Sequence, residues 1–227
     1  MPIAIQQTDI LALLMITHLI ASLVAAELRN LRAAIWALVV QSFLLACIIA
    51  SFAFVWNNYT LLIWAFITIA TKVVIIPALL FYMLHITSLT VELRPLIGLR
   101  ASLLFGTVLI VVFYWILRTY IYFVAPTQAA MVEPARSSLT VAFCIFSLGV
   151  YVLITRRDVI KVVIGLHLLE NGAHLALITL APALPTTTKL GIWTNVVVAA
   201  YMIVKLTEGI YKTLGVTDTL ALSELKR

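Results

Sequence analysis

Apolar residues run through this chain in long blocks, without the every-second alternation of a half-buried strand and with no sustained polar face. Blocks long enough to cross about 30 Å of hydrocarbon, at about 1.5 Å per residue, fall near 9–27, 33–56, 60–84, 100–124, 139–155, 159–181 and 191–212. The pattern predicts an all-α, polytopic bundle of about seven transmembrane helices. Asp9 and His18 interrupt the first block. A cleaved signal peptide would need an early positive region and a small-residue cleavage site, and neither is evident, so this block is expected to be a span.

Two connections are long: HITSLTVELRPLIGL at 85–99, and APTQAAMVEPARSS at 125–138, which has two prolines and no apolar periodicity. The second is the expected boundary. It separates a four-helix N-terminal region, 1–125, from a compact three-helix region with a tail, 139–227. No internal repeat links the two, so the inverted-repeat pattern of many carriers is missing.

The sixth block breaks the apolar rule. In VIGLHLLENGAHLALI, His167, Glu170, Asn171 and His174 fall within about 100° of one another on a helical wheel, while Gly165, Gly172 and Ala176 lie opposite. Small residues let another helix approach closely, so this helix is expected to pack on both faces. A carboxylate near the middle of a span costs several kcal/mol, so the stripe should face protein or water. Glu170 flanked by histidines and an asparagine has the make-up of a proton relay. The same residues also suit a static polar contact between helices, or a metal or haem site on the HxxExxxH spacing, although histidines elsewhere in the spans are scarce.

A second charge lies deep in the third block, in TIATKVVIIPALL. Lys72 is near its centre, and Pro77 lacks an N–H and disturbs the carbonyl of Val73, so the helix should open beside a buried amine. Lys72 is a candidate relay member or the ion-pair partner of an acid, with Glu170 the only acid well inside a span. His18 and Lys205 are further candidates, the first as a polar contact and the second with a side chain long enough to snorkel. Trp56, Tyr59 and Trp193 read as interfacial anchors.

Composition agrees: of 227 residues, 64% are hydrophobic and 11% charged, with a mean hydropathy of +1.15. A net charge of +6 does not here imply nucleic acid, because Lys and Arg gather on the cytoplasmic side of a membrane protein. With the N-terminus outside, inner loops and tail hold Arg29, Arg32, Arg94, Arg100, Arg156, Arg157, Lys161, Lys212, Lys226 and Arg227, against Arg118, Arg136 and Lys189 outside. The bias predicts N-out and C-in. Cys47 and Cys144 lie within spans and form no CxxC pair, and Walker, Rossmann and HExxH motifs are absent. Any redox centre is expected on another chain.

Three segments carry a family resemblance: WAFITIATKVVIIPALLFY, IGLHLLENGAHLAL and the tail YKTLGVTDTLALSELKR. Together they resemble the hydrogenase-4 component E family, a membrane subunit of energy-converting nickel–iron hydrogenases and formate hydrogenlyases. The specific signals are the TK…P element at Lys72 and Pro77 and the ENG.H element from Glu170 to His174. The last three blocks are also similar to the small K subunit of complex I, which helps carry a hydrophilic axis through the membrane arm. Against that subunit, its middle-helix glutamate falls at His167, which displaces Glu170 by one turn, and a second glutamate falls near Ala199. These departures turn the expected route toward Lys72 and the N-terminal spans.

The resemblance implies a non-catalytic subunit in a prokaryotic inner membrane, contributing to proton or sodium translocation coupled to electron transfer. It implies antiporter-like membrane neighbours and peripheral hydrogenase subunits that carry the [NiFe] and iron–sulfur centres, with no cofactor in this chain. The alternatives are an antiporter-type or complex I-like assembly without hydrogenase activity, and a purely structural scaffold.

Overall fold

The computed structural model describes residues 2–87, 90–92, 96–182, 194, 197–205, 208–209 and 211. Every regular element among them is helical, and six helices are long and apolar enough to cross a membrane. They are α1 (Pro2–Glu27), α2 (Leu31–Val55), a span made of α3 (Thr60–Thr68), a π segment (Ile69–Ile75) and α4 (Ile76–Thr87), then α5 (Leu99–Val124), α7 (Ala135–Thr155) and α8 (Val159–Leu180). A short α6 (Gln128–Met131) lies in the proline-containing connection. Backbone at 197–205 is helical where a seventh span was expected, with Ala200 and Val204 buried; Trp193, Lys189 and the tail fall outside the described residues.

Chain turns set where the helices start. Asn30 caps α2 by accepting a hydrogen bond from the Ala33 N–H, and Asp158 caps α8 by accepting one from the Ile160 N–H. Asn57 takes a left-handed conformation (φ 50°) between α2 and α3, which asparagine tolerates well. The ends of α1, α4 and α7 and the starts of α2, α5 and α8 therefore share one end of the bundle. Residues 90–92 and 96–98 form a strap across this end: the Glu92 N–H donates to the Arg29 carbonyl, the Leu31 N–H to the Thr90 carbonyl and the Leu96 N–H to the Thr155 carbonyl.

The sixth expected helix does pack on two faces. On one side α8 meets α7 with almost no space between backbones: a Cβ built on Gly149 would lie 2.4 Å from the Leu169 nitrogen, and one on Gly172 would lie 2.6 Å from the Ala142 carbonyl oxygen. On the other side its polar stripe faces α2 and the π segment. α2 sits centrally, between α1, the third span and α8. α5 packs against α7 along one edge and leaves most of its surface, including Leu104, Trp115 and Phe123, exposed to the surroundings.

Candidate functional site

The third span is where a proline's local effect becomes geometry. Pro77 cannot donate to Val73, and the backbone just before it widens into a π-helix, with the Ile76 N–H reaching the Thr71 carbonyl five residues back. Thr71 also donates its hydroxyl to the Ile67 carbonyl at 2.8 Å. Lys72 is the buried residue of this segment, 1% exposed, while Val74 and Ile75 remain on the outside.

Lys72 reaches the stripe on α8. Its ammonium donates to Asn171 Oδ1 at 2.7 Å and to His174 Nδ1 at 3.1 Å, and it is ion-paired with Glu170 Oε2. An ammonium has three N–H groups and no acceptor, so these three partners use its full capacity. Because His174 Nδ1 accepts, the proton of a neutral His174 ring sits on Nε2. The Trp64 ring lies beside His174, centroid to centroid 5.9 Å, and closes this side.

From Asn171 the hydrogen bonding continues across the bundle. Its Nδ2 donates to Gln41 Oε1 on α2 at 2.6 Å. Ser42, the next residue, lies 3.4 Å from the same oxygen and 3.1 Å from His167 Nε2. The Gln41 amide nitrogen donates to Ser22 Oγ on α1 at 3.2 Å and lies 3.4 Å from His18 Nε2. His18 Nδ1 donates to the Gln41 backbone carbonyl at 2.9 Å, which leaves Nε2 as the acceptor. Of these ten side chains all but Trp64 are polar, and every one is buried.

The network is lateral. At about 1.5 Å per residue, His18, Gln41 and His167 lie about 12–15 Å from Glu27, Leu31 and Val159, the ends of their helices on the strapped side. That is close to the middle of a hydrocarbon layer about 30 Å thick. From His18 through Gln41 to Asn171 it therefore runs largely in the membrane plane, while His174, about 10 Å beyond His167 along α8, and Lys72 stand farther from the strapped side.

The structure thus brings together Lys72, Glu170, Asn171, His174, His167 and His18, with Pro77 shaping the helix that carries Lys72. Lys205 is elsewhere: it pairs with Glu208 at 2.9 Å and lies 5.8 Å from the Tyr82 ring centre, with its side chain 46% exposed. Gln41 and Ser42 were not singled out in the sequence, although a QS pair inside a long apolar block was a visible signal.

A second polar cluster was also missed. Charge bias placed Arg156 and Lys161 among loop cations, yet both are buried. Arg156 Nη2 donates to Glu27 Oε2 at 2.7 Å and to Ser102 Oγ at 2.8 Å, while Nη1 reaches the two Glu92 oxygens at 3.2 and 3.3 Å. Lys161 donates to the carbonyls of Ala25 and Ala26, which the end of α1 leaves without helical partners. The strap explains the difference, because it covers charges that a loop would otherwise expose. Among the described residues, no three His, Cys, Asp or Glu side chains converge as metal ligands.

Comparison with known proteins gives the family context. Hydrogenase-4 component E from Escherichia coli K12, from Escherichia coli O157:H7 and from Shigella flexneri each align over 208 residues at 26% identity, covering 92% of this chain and 93% of theirs. The chain is a homologue of hydrogenase-4 component E. Residues 137–227 match the family model of NADH-ubiquinone/plastoquinone oxidoreductase chain 4L. Both resemblances read from the sequence therefore stand, the second beginning within the connection taken there as a boundary. No solved structure matches the chain. The two similarities are those of a membrane subunit of a complex I-like oxidoreductase.

Proposed function

We propose that this chain is a non-catalytic membrane subunit of an energy-converting [NiFe] hydrogenase of complex I-like design, and that it takes part in moving protons or sodium ions when electrons pass through partner subunits. The observation that carries the reading is the Lys72–Glu170 pair held inside a continuous, buried, lateral hydrogen-bonded network. An unneeded charge pair at that depth would be replaced at little cost by apolar residues of similar volume. Glu170 is the protonatable centre, Lys72 its movable counter-charge, and His167, His174 and Asn171 its relay neighbours. His18 extends the path to α1 through Gln41. The 4L-like region, 139–227, supplies the carboxyl side of the pair and the N-terminal region, 1–125, supplies the amine. The [NiFe] and iron–sulfur centres belong to the partners, antiporter-like subunits are its neighbours in the membrane, and the N-terminus lies outside.

The test is ion uptake by vesicles holding the assembled complex, with subunit content measured on the same samples. Glu170→Gln keeps shape and hydrogen bonding but removes the exchangeable charge. It is expected to leave the complex assembled and to abolish coupled uptake, with Glu170→Asp retaining part of it and Lys72→Met losing it. Normal uptake by assembled Glu170→Gln complex would overturn the relay and leave a static polar contact. Separately, a tagged chain should copurify with a nickel-containing partner; copurification with antiporter-like subunits alone would favour an assembly without hydrogenase activity.

A further inference from the structure

On the outside of the strapped end, between the start of α2 and the end of α4, lies an open groove of about 790 Å³. Its rim carries Arg32, Asn30, His85 and Thr90, and its inner wall carries Trp36 and Phe81. The Trp36 and Phe81 rings pack in a tilted pair with centroids 5.6 Å apart. No acid lines it among the described residues: Glu27 and Glu92, the nearest in sequence to the two rims, are committed to Arg156. Arg32, in contrast, makes no ion pair or side-chain hydrogen bond among the described residues.

Depth matters as much as charge. Arg32 lies in the first turn of α2 and His85 in the last turn of α4, which is where a helix leaves hydrocarbon for the headgroup layer. Below Arg32, the exposed residues Trp36, Val40 and Phe43 follow at one-turn spacing down α2. Below His85, α4 and the π segment offer Tyr82, Ile75 and Val74. Polar donors at the top and an apolar trough underneath reproduce the profile of a phospholipid, and Arg32, the one permanent cation among the described lining residues, favours a phosphate over a zwitterion.

We propose that this groove binds an anionic phospholipid, with Arg32 and the Asn30 and Thr90 polar groups on the phosphate and an acyl chain along Trp36 and Phe81. The site is separate from the buried network and does not depend on its role in ion movement.

The full-length chain, purified in a mild detergent, is equilibrated with equal amounts of phosphatidylglycerol and phosphatidylcholine of matched acyl chains, and the retained lipid is weighed by native mass spectrometry. Wild-type protein should retain phosphatidylglycerol preferentially. Arg32→Gln should reduce that preference roughly fivefold, as expected for one basic residue near a lipid surface, while Arg32→Lys keeps most of it. Trp36→Ala should lower retention of phosphatidylglycerol by removing the apolar wall. Added inorganic phosphate should not displace the lipid, since it has no chain to fill the trough. Equal retention of the two lipids by the wild type, an unchanged preference in Arg32→Gln, unchanged retention in Trp36→Ala, or displacement by inorganic phosphate would each overturn the proposal.

Discussion

Arg156→Met isolates what the strapped end contributes to stability. The side chain it removes is fully buried and holds two carboxylates, Glu27 at 2.7 Å and Glu92 at 3.2 Å, together with the Ser102 hydroxyl at 2.8 Å. Methionine occupies similar space with no charge, so the change leaves two acids facing each other in a site closed to water. Removing one partner of a buried ion pair costs about 3–5 kcal/mol. In a chain of this length that lowers the unfolding midpoint by roughly 6–20 °C. The assay is the fraction of the purified chain that still elutes as a monodisperse peak after heating in detergent. The deficit should depend on pH in a stated direction. Burial already pushes the Glu92 carboxyl above the ordinary range, against the pull of Lys161 and Arg156. A folded state that holds a proton the unfolded chain releases loses stability as pH rises through that window. The variant should therefore be weakest near pH 8 and approach the wild type toward pH 5. Neutralising both acids as well, with Glu27→Gln and Glu92→Gln, should restore most of the midpoint. A single variant within about 1 kcal/mol of wild type, or a triple variant no better than the single, would refute the reasoning.

Two further outcomes test the packing and the orientation. Gly149→Ala should loosen the α7–α8 contact, because its Cβ would meet backbone at 2.4 Å; a loss of about 1–3 kcal/mol is expected, and heating that leaves the variant as stable as the wild type would contradict it. The charge bias predicts a C-terminus inside; on that expectation a Ser223→Cys protein without its native cysteines should react with an impermeant thiol reagent only after the membrane is opened, and labelling of intact cells would reverse the topology.

The spans were legible because continuous apolar blocks carry their own limits: the block at 60–84 became Thr60–Thr87, and that at 159–181 became Val159–Leu180. Helical periodicity was enough to put Glu170, Asn171, His167 and His174 on one face and the glycines on the other. It could not say which helix the polar face meets, since that depends on how each helix is rotated and how deep it sits. Gln41 and Ser42 take part in six of the nine contacts that make up the network, yet in the sequence they are two polar residues in an apolar run. Pro77 announced a local opening near Lys72 but not its form, because a five-residue hydrogen-bond step leaves no trace in hydropathy. Arg156 and Lys161 were misread for a different reason: charge counting assumes that residues between spans meet water, and here residues 90–92 and 96–98 fold back across that end of the bundle.

The direction of the network bears on how the proposed transport divides between subunits. Counted from the strapped ends of their helices, Glu170 and His18 lie about 17 and 14 Å deep, so a proton carried from Glu170 by way of Lys72, Asn171 and Gln41 to His18 moves mainly along the membrane and gains little net height. Across the bilayer, work against the membrane potential is about 2.3 kcal/mol per charge per 100 mV, and only displacement normal to the membrane does that work. A lateral path therefore suits a connector that links perpendicular legs held elsewhere. Toward the strapped end, Lys161 lies about 9 Å below His167 along α8, with its ammonium satisfying the carbonyls that end α1. Its position there is accounted for by capping, which makes it a closure of the network on that side rather than a leg of the route. The π segment fits the same division of labour, since a widened turn changes hydrogen-bond partners with less disruption than a regular helix and carries the amine that three of the four polar residues of the α8 stripe share.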